Sequence, residues 1–178
     1  FEGCSSLRQL DLAGIDTTKV TDMSNMFAGC SALGSIDISM LKTENVTTME
    51  GMFSRCGSLA AISLNGLDTA NVKSMRAMFA GCSALAEAVF TGVNAGAIVD
   101  MGQMFDGCSS LSNLDLAAFN TPNLTNADRM LSGCTALETL DLSGLNTAKT
   151  TNMGSFFDGC EALTEVKLGA DFVFHGET

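Results

Sequence analysis

The sequence predicts an α/β fold, a right-handed solenoid of about seven 26-residue coils with a parallel sheet on one face and short helices on the other. The first observation is that the seven cysteines recur at one constant interval: Cys4, Cys30, Cys56, Cys82, Cys108, Cys134 and Cys160. The second is that a leucine lies three residues after each cysteine, and a phenylalanine (once a leucine) three residues before it. A fixed period of this length is typical of stacked repeat units that bury their apolar side chains against their neighbours.

The segment before each cysteine predicts a helix of under two turns, over residues 22–28 in one repeat. Asp22 can cap the first turn, and Met23, Met26 and Phe27 have helical spacing. Gly29 suits a left-handed residue after the helix. The positions equivalent to Asp22 also carry residues that cap helices well: Thr48, Ser74, Asp100, Asn126 and Asn152.

The segment after each cysteine predicts a strand of the kind found in a leucine-rich repeat. Leu33, Ile36 and Ile38 are apolar, and the polar residues that alternate with them should face outward. The fourth of these strands is weak, because Ala88 replaces leucine or isoleucine and Val89 faces outward. This irregularity is either drift in one repeat or a binding feature.

Composition and charge bound the remaining possibilities. The 178 residues are 46% hydrophobic and contain no linker, so we expect a single solenoid domain over residues 1–178. We also expect this domain to be a segment of a longer chain, because Phe1 lies in mid-repeat. A net charge of −11 argues against nucleic acid and anionic membranes as partners. No apolar run approaches the ~18 residues of a membrane helix, so we expect no membrane insertion by this segment. The irregular tail, residues 171–178, is either a cap or the start of a further segment.

Two strings carry a resemblance to a known family. LDLAGIDTTKVTDMSNMFAGCSAL (residues 10–33) and FDGCSSLSNLDLAAFNT (residues 105–121) resemble the BspA-like leucine-rich repeat surface proteins. The resemblance covers about residues 1–169. It implies a cell-surface or extracellular protein without enzymatic activity, and several members of that group are implicated in adhesion.

The residues give little support for catalysis or cofactors. The single histidine, His175, lies in the irregular tail, and no nucleophile–base pair is suggested. We expect no cofactor and no metal held by the cysteines, which should form a buried column of mostly free thiols. Two aspartate pairs, Asp11/Asp37 and Asp115/Asp141, would lie side by side on neighbouring strands, where water and hydroxyls, or else calcium, would relieve their repulsion.

The exposed strand positions predict a flat polar surface, which we call the strand face. Its candidate binding residues are Asp11, Ser35, Asp37, Ser39, Ser63, Asn65, Asn113, Asp115, Thr139, Asp141 and Ser143. The favoured function is binding of another protein on this face. The alternatives are a structural subunit or spacer with end-to-end or lateral contacts, and ice or mineral binding by a column of threonines at Thr17 and its equivalents.

Overall fold

A computed structural model describes residues 1–175, which form a solenoid of stacked 26-residue coils. Its five short strands lie on one face: β1 (Ala61–Ser63), β2 (Glu87–Val89), β3 (Asn113–Asp115), β4 (Thr139–Leu142) and β5 (Glu165–Leu168). Paired residues differ by 26 positions, as in Ala61 and Glu87, and all the pairs are parallel. The solenoid and the parallel strands of the sequence prediction are therefore confirmed. The handedness and the number of coils stay predictions, and residues 176–178 of the irregular tail lie outside the described residues.

The core consists of columns of like residues from successive coils. Phe27, Phe53, Phe79 and Phe105 are fully buried. Their rings stack with centroids 5.2, 5.8 and 5.6 Å apart, within the range of favourable offset pairs. Ten of the eleven methionines lie in two adjoining columns, where their flexible side chains fill the space between coils.

The predicted helix over residues 22–28 and its equivalents is wrong, because residues 1–175 contain no helix. The segment forms consecutive β-turns instead. The Met26 N–H donates to the Met23 carbonyl at 3.3 Å, and the Cys30 N–H donates to the Phe27 carbonyl at 3.0 Å. The third residue of each turn, Asn25 (φ 56°) or Gly29 (φ 73°), has the positive φ that type II turns require.

The helix is replaced because alternate N–H groups of this segment donate to the next coil. Met23 donates to the Thr48 carbonyl at 3.0 Å, and Phe27 donates to the Met52 carbonyl at 2.9 Å. The pattern continues as far as Gly133, which donates to Asp158 at 2.7 Å. We call this surface, residues 22–29 and their equivalents, the turn face. Its bonds between coils supply partners for donors that a helix of under two turns could not keep satisfied alone.

The cysteine column is part of the same bonding between coils. Five cysteines are buried, Cys4 is exposed, Cys160 is half-buried, and all seven are free. The Cys82 thiol donates to the Phe53 carbonyl at 3.1 Å, and that carbonyl also accepts the Cys56 N–H at 3.0 Å. The thiol therefore reaches the second lone pair of a carbonyl in the preceding coil. Burial raises the pKa of Cys82 and of Cys134 to about 12.

The threonine column at Thr17 and its equivalents is buried, so it presents no hydroxyl array to solvent. The Thr121 hydroxyl donates to the Asn146 carbonyl at 3.1 Å and accepts the Asn146 N–H at 3.0 Å. Thr43 lacks this arrangement, and its Oγ1 has no hydrogen-bond partner. The surface array on which ice or mineral binding was predicted is thus absent from the described residues at this column.

The strand layer is interrupted, whereas the turn face is continuous. The strands β1 and β2 form one sheet, and β3, β4 and β5 form another. Within the described chain no strand precedes β1, so the strands predicted over residues 7–12 and 33–38 are wrong. Nothing in the apolar pattern of these two segments explains the difference.

Candidate functional site

The structure places most of the predicted binding residues at the surface, but only some of them on paired strands. Asp141 and Ser143 are half-buried and the other nine are exposed. The residues on strands are Ser63 on β1, Asn113 and Asp115 on β3, and Thr139 and Asp141 on β4. The predicted residues that precede β1 are therefore exposed without belonging to a sheet.

The aspartates of the strand face have a structural role that the sequence prediction missed. One carboxylate oxygen of each accepts the N–H of the second residue after it: Asp37 from Ser39 at 2.9 Å, and Asp115 from Ala117 at 2.8 Å. This bond fixes the bend that follows, as Asx-turns do. The hydrogen bond from the Ser39 backbone lowers the pKa of Asp37. The signal for this role in the sequence was the polar side chain that lies two residues before each bend.

Asp115, Asp141 and Lys167 lie directly opposite one another on β3, β4 and β5. The Lys167 Nζ donates to Asp141 Oδ2 at 2.8 Å, so a lysine of the next coil relieves the predicted repulsion between the aspartates. This hydrogen bond, with those from Ser143, lowers the pKa of Asp141 to about 2. Asp115 keeps one oxygen without a partner in the described chain. The sequence carried the signal for Lys167, which occupies the same repeat position as Asp141.

A shallow depression of about 320 Å³ lies over these three strands. Its polar lining consists of Asn113, Asp115, Thr139, Asp141, Glu165 and Lys167. Four of these six residues belong to the predicted binding set. The arrangement offers carboxylates, one cation and hydroxyl or amide groups on a flat floor, which suits polar contacts with another macromolecule.

The structure gives no sign of a metal centre on this face. Among residues 1–175, no group of three or more His, Cys, Asp or Glu side chains is placed to hold a metal ion. Nor does the described chain contain a helix with the length and apolar character needed to cross a membrane.

A second depression, the β2–β3 cleft, was not predicted as a site. It has a volume of about 370 Å³ and lies between residues 88–92 and residues 115–118. Leu64 N–H donates to the Val89 carbonyl at 3.0 Å, and Leu116 N–H donates to the Asp141 carbonyl at 2.8 Å. No backbone bond joins residues 86–90 to residues 112–116 in the described structure. The sequence predicted a weak strand in this coil because of Ala88, but it did not indicate a gap between strands.

A family model described as "Mycoplasma protein of unknown function, DUF285" matches residues 1–92 and 86–169. No curated protein sequence matches the chain.

Three solved structures are similar to the chain. A leucine-rich repeat protein of T. pallidum is 21% identical with a TM-score of 0.43, over 75% of this chain and 66% of that one. A leucine-rich repeat protein of Bacteroides ovatus is 22% identical with a TM-score of 0.34, over 94% of this chain and 56% of that one. A leucine rich cell surface protein of Faecalibacterium prausnitzii is 18% identical with a TM-score of 0.23, over 94% and 74%. At such TM-scores these likenesses say nothing about what the chain binds, and the chain matches only part of the length of each of the three proteins.

Proposed function

We propose that this chain, which belongs to the family described as Mycoplasma protein of unknown function, DUF285, is a non-enzymatic repeat module that binds another protein on its strand face. The observation that carries the proposal is the layer formed by β3, β4 and β5, in which β4 is paired on both edges and whose outward side chains are polar. At its centre such a surface admits another protein without the cost of burying unpaired backbone groups.

The charge of this layer indicates the chemistry of the partner. Asp115 and Glu165 are exposed, whereas the nearby cation Lys167 is bound to Asp141. The chain as a whole has a net charge of −11. A partner that presents basic or hydroxyl groups would complement this surface, and its association rate should fall as salt rises.

The resemblance to BspA-like leucine-rich repeat surface proteins supports a cell-surface or extracellular location and a role in adhesion. We propose residues 1–178 as one solenoid domain. A structural subunit or spacer is the second candidate, favoured by the uninterrupted bonding between coils on the turn face, from Gly3 to Gly133.

Affinity capture from the source organism, followed by mass spectrometry, separates the two candidates. Recovery of a stoichiometric complex with other assembly components would indicate a structural subunit, and capture of external ligands would indicate an adhesin. The strand face is then tested with Asp37→Lys combined with Asp115→Lys. The matched change on the turn face is Glu50→Lys combined with Asp128→Lys. If only the turn-face pair weakens binding to the identified partner, the strand-face proposal is wrong.

A further inference from the structure

The gap between β2 and β3 leaves several main-chain groups without a partner in the described chain, among them the Ser112 N–H and the Ala86 carbonyl at one end. At the end that forms the β2–β3 cleft, the register of the neighbouring strands places the missing bond between the Phe90 N–H and the Asp115 carbonyl. Neither group makes another hydrogen bond within residues 1–175. Unpaired groups of this kind bind water or a ligand, because leaving them dry costs free energy.

Two departures from the repeat lie at the cleft. Ala88 takes the place of inward residues such as Ile62 and Leu114, which are 3% and 2% exposed. Phe90 takes the place of a leucine, and its ring packs edge-on against the rings at positions 79, 105 and 119. The small side chain leaves β2 without the packing that draws the other strands together, and the buried ring gives the cleft a fixed floor.

Each side of the cleft combines a small apolar side chain with an acidic residue nearby. Val89 and Ala117 line it with small apolar side chains. One oxygen of Asp115 accepts the Ala117 N–H at 2.8 Å, and the other is without a partner in the described structure. Glu87 lies exposed on the same strand as Val89. These charges disfavour an anionic ligand and favour a cationic one.

We propose that the β2–β3 cleft binds an extended segment of a partner protein through one main-chain amide and a lysine or arginine beside it. This inference rests on the proposed function of protein binding and names the chemistry of the segment that is bound. The amide carbonyl accepts the Phe90 N–H, and its N–H donates to the Asp115 carbonyl. The basic side chain pairs with the free carboxylate oxygen of Asp115, and a small apolar side chain packs against Val89. A main-chain amide fits because it supplies both a donor and an acceptor.

The inference is tested by NMR with the full 178-residue chain labelled with ¹⁵N. The probe is an acetylated and amidated heptapeptide of sequence GTKVKTG, and the matched peptide has glutamate in place of both lysines. We expect the basic peptide to shift the amide signals of Phe90, Gly92 and Ala117 first, and the acidic peptide to shift none of them. Shifts spread evenly over the strand face, or no shifts at all, would overturn the cleft assignment.

Paired variants locate the binding. Ala117→Phe places a ring in the cleft and should weaken peptide binding about tenfold by exclusion. Ala13→Phe makes the same change at the same repeat position far from the cleft, and should leave binding unchanged. Asp115→Asn should weaken binding by roughly two- to fivefold, the value of an exposed ion pair. Equal effects at Ala13 and Ala117 would contradict the inference. If Ala117→Phe still captures the identified partner fully, the cleft is not the site, whereas the strand-face proposal survives.

Discussion

Raising the pH should unfold this protein through its buried thiols. The pKa of Cys82 and of Cys134 is raised to about 12, against an ordinary thiol value of about 8.5, because burial disfavours the thiolate. Burial also raises the pKa of Cys108 well above its ordinary value. The unfolded chain therefore releases these protons first. Their contribution to stability is complete below about pH 8.5 and is lost as the pH rises toward 12.

The magnitude follows from the number of thiols. Each thiol that stays protonated only in the folded state lowers the free energy of unfolding by about 1.4 kcal/mol per pH unit. Burial raises the pKa of Cys56 to about 12 as well, so four thiols (Cys56, Cys82, Cys108 and Cys134) together account for about 5.6 kcal/mol per unit between pH 9 and pH 12. Because a domain of this size has a stability of about 5–15 kcal/mol, we expect unfolding between roughly pH 9.5 and pH 11.5.

Urea unfolding, monitored by circular dichroism at pH 8, 9 and 10, measures how steeply the free energy of unfolding falls with pH. Thiolate absorbance in the ultraviolet reports the same protons, without interference because the chain contains no tyrosine. Cys82→Ala should make the slope shallower by about 1.4 kcal/mol per unit. Cys4→Ala, which removes an exposed thiol, should leave it unchanged. Equal free energies of unfolding at pH 8 and pH 10, or equal effects of the two variants, would refute the reasoning.

Three further predictions concern single positions. Arg55 has φ 61° where the other coils have glycine. Arg55→Gly should therefore raise the free energy of unfolding, measured by urea unfolding, by up to about 1 kcal/mol. A lower free energy of unfolding in this variant would contradict the prediction. Lys167→Ala should move the pKa of Asp141 from about 2 toward about 4 in a carboxyl NMR titration, and an unchanged midpoint would exclude Lys167 as the main cause. Because Lys167 is exposed, the pair should add little to the stability of the fold, and that contribution should be lost as the pH falls from 4 to 2. Thr121→Val should lower the free energy of unfolding by about 1–3 kcal/mol in the same urea assay, because it leaves the N–H and the carbonyl of Asn146 unpaired. Thr43→Val should lower it less, because the Thr43 hydroxyl has no partner. Equal effects of the two variants would argue against this role for the hydroxyl.

The period and the core columns could be predicted from the sequence because both depend on identical residues at a constant interval. Once each coil repeats the last, like residues must stack, and Phe27 must meet Phe53. The parallel strands follow from the same reasoning, since the alternation of apolar and polar residues after each cysteine survives in most coils.

The helix could not be distinguished from the turns by apolar spacing. Met23, Met26 and Phe27 point inward in both arrangements, because two consecutive β-turns advance the chain much as a short helix does. What decides between them is where the N–H groups donate, and that depends on a neighbouring coil. The sequence did carry a warning, since Gly51 lies in the middle of one predicted helix and has φ 60° in the structure.

The candidate site was predictable in part for a similar reason. The outward positions of β3 and β4 follow from strand alternation, so the sequence predicted that Asn113, Asp115, Thr139 and Asp141 lie on the strand face. The β2–β3 cleft depends on how far one strand moves when Ala88 replaces a larger residue, which is a question of packing and not of pattern. The aspartate bonds to the bends were missed because aspartate at an exposed position is equally compatible with plain solvation.

The bonding on the turn face also determines how such a chain can change in length. Each donor there meets an acceptor at a constant offset in the next coil, as in Phe27 with Met52 and Phe53 with Met78. An insertion or deletion of one residue within this segment would take the donors and acceptors of that coil out of phase with both neighbouring coils, whereas gain or loss of an entire repeat unit leaves every bond in phase. Molecules of this kind can therefore lengthen or shorten only by duplication or deletion of whole 26-residue repeats.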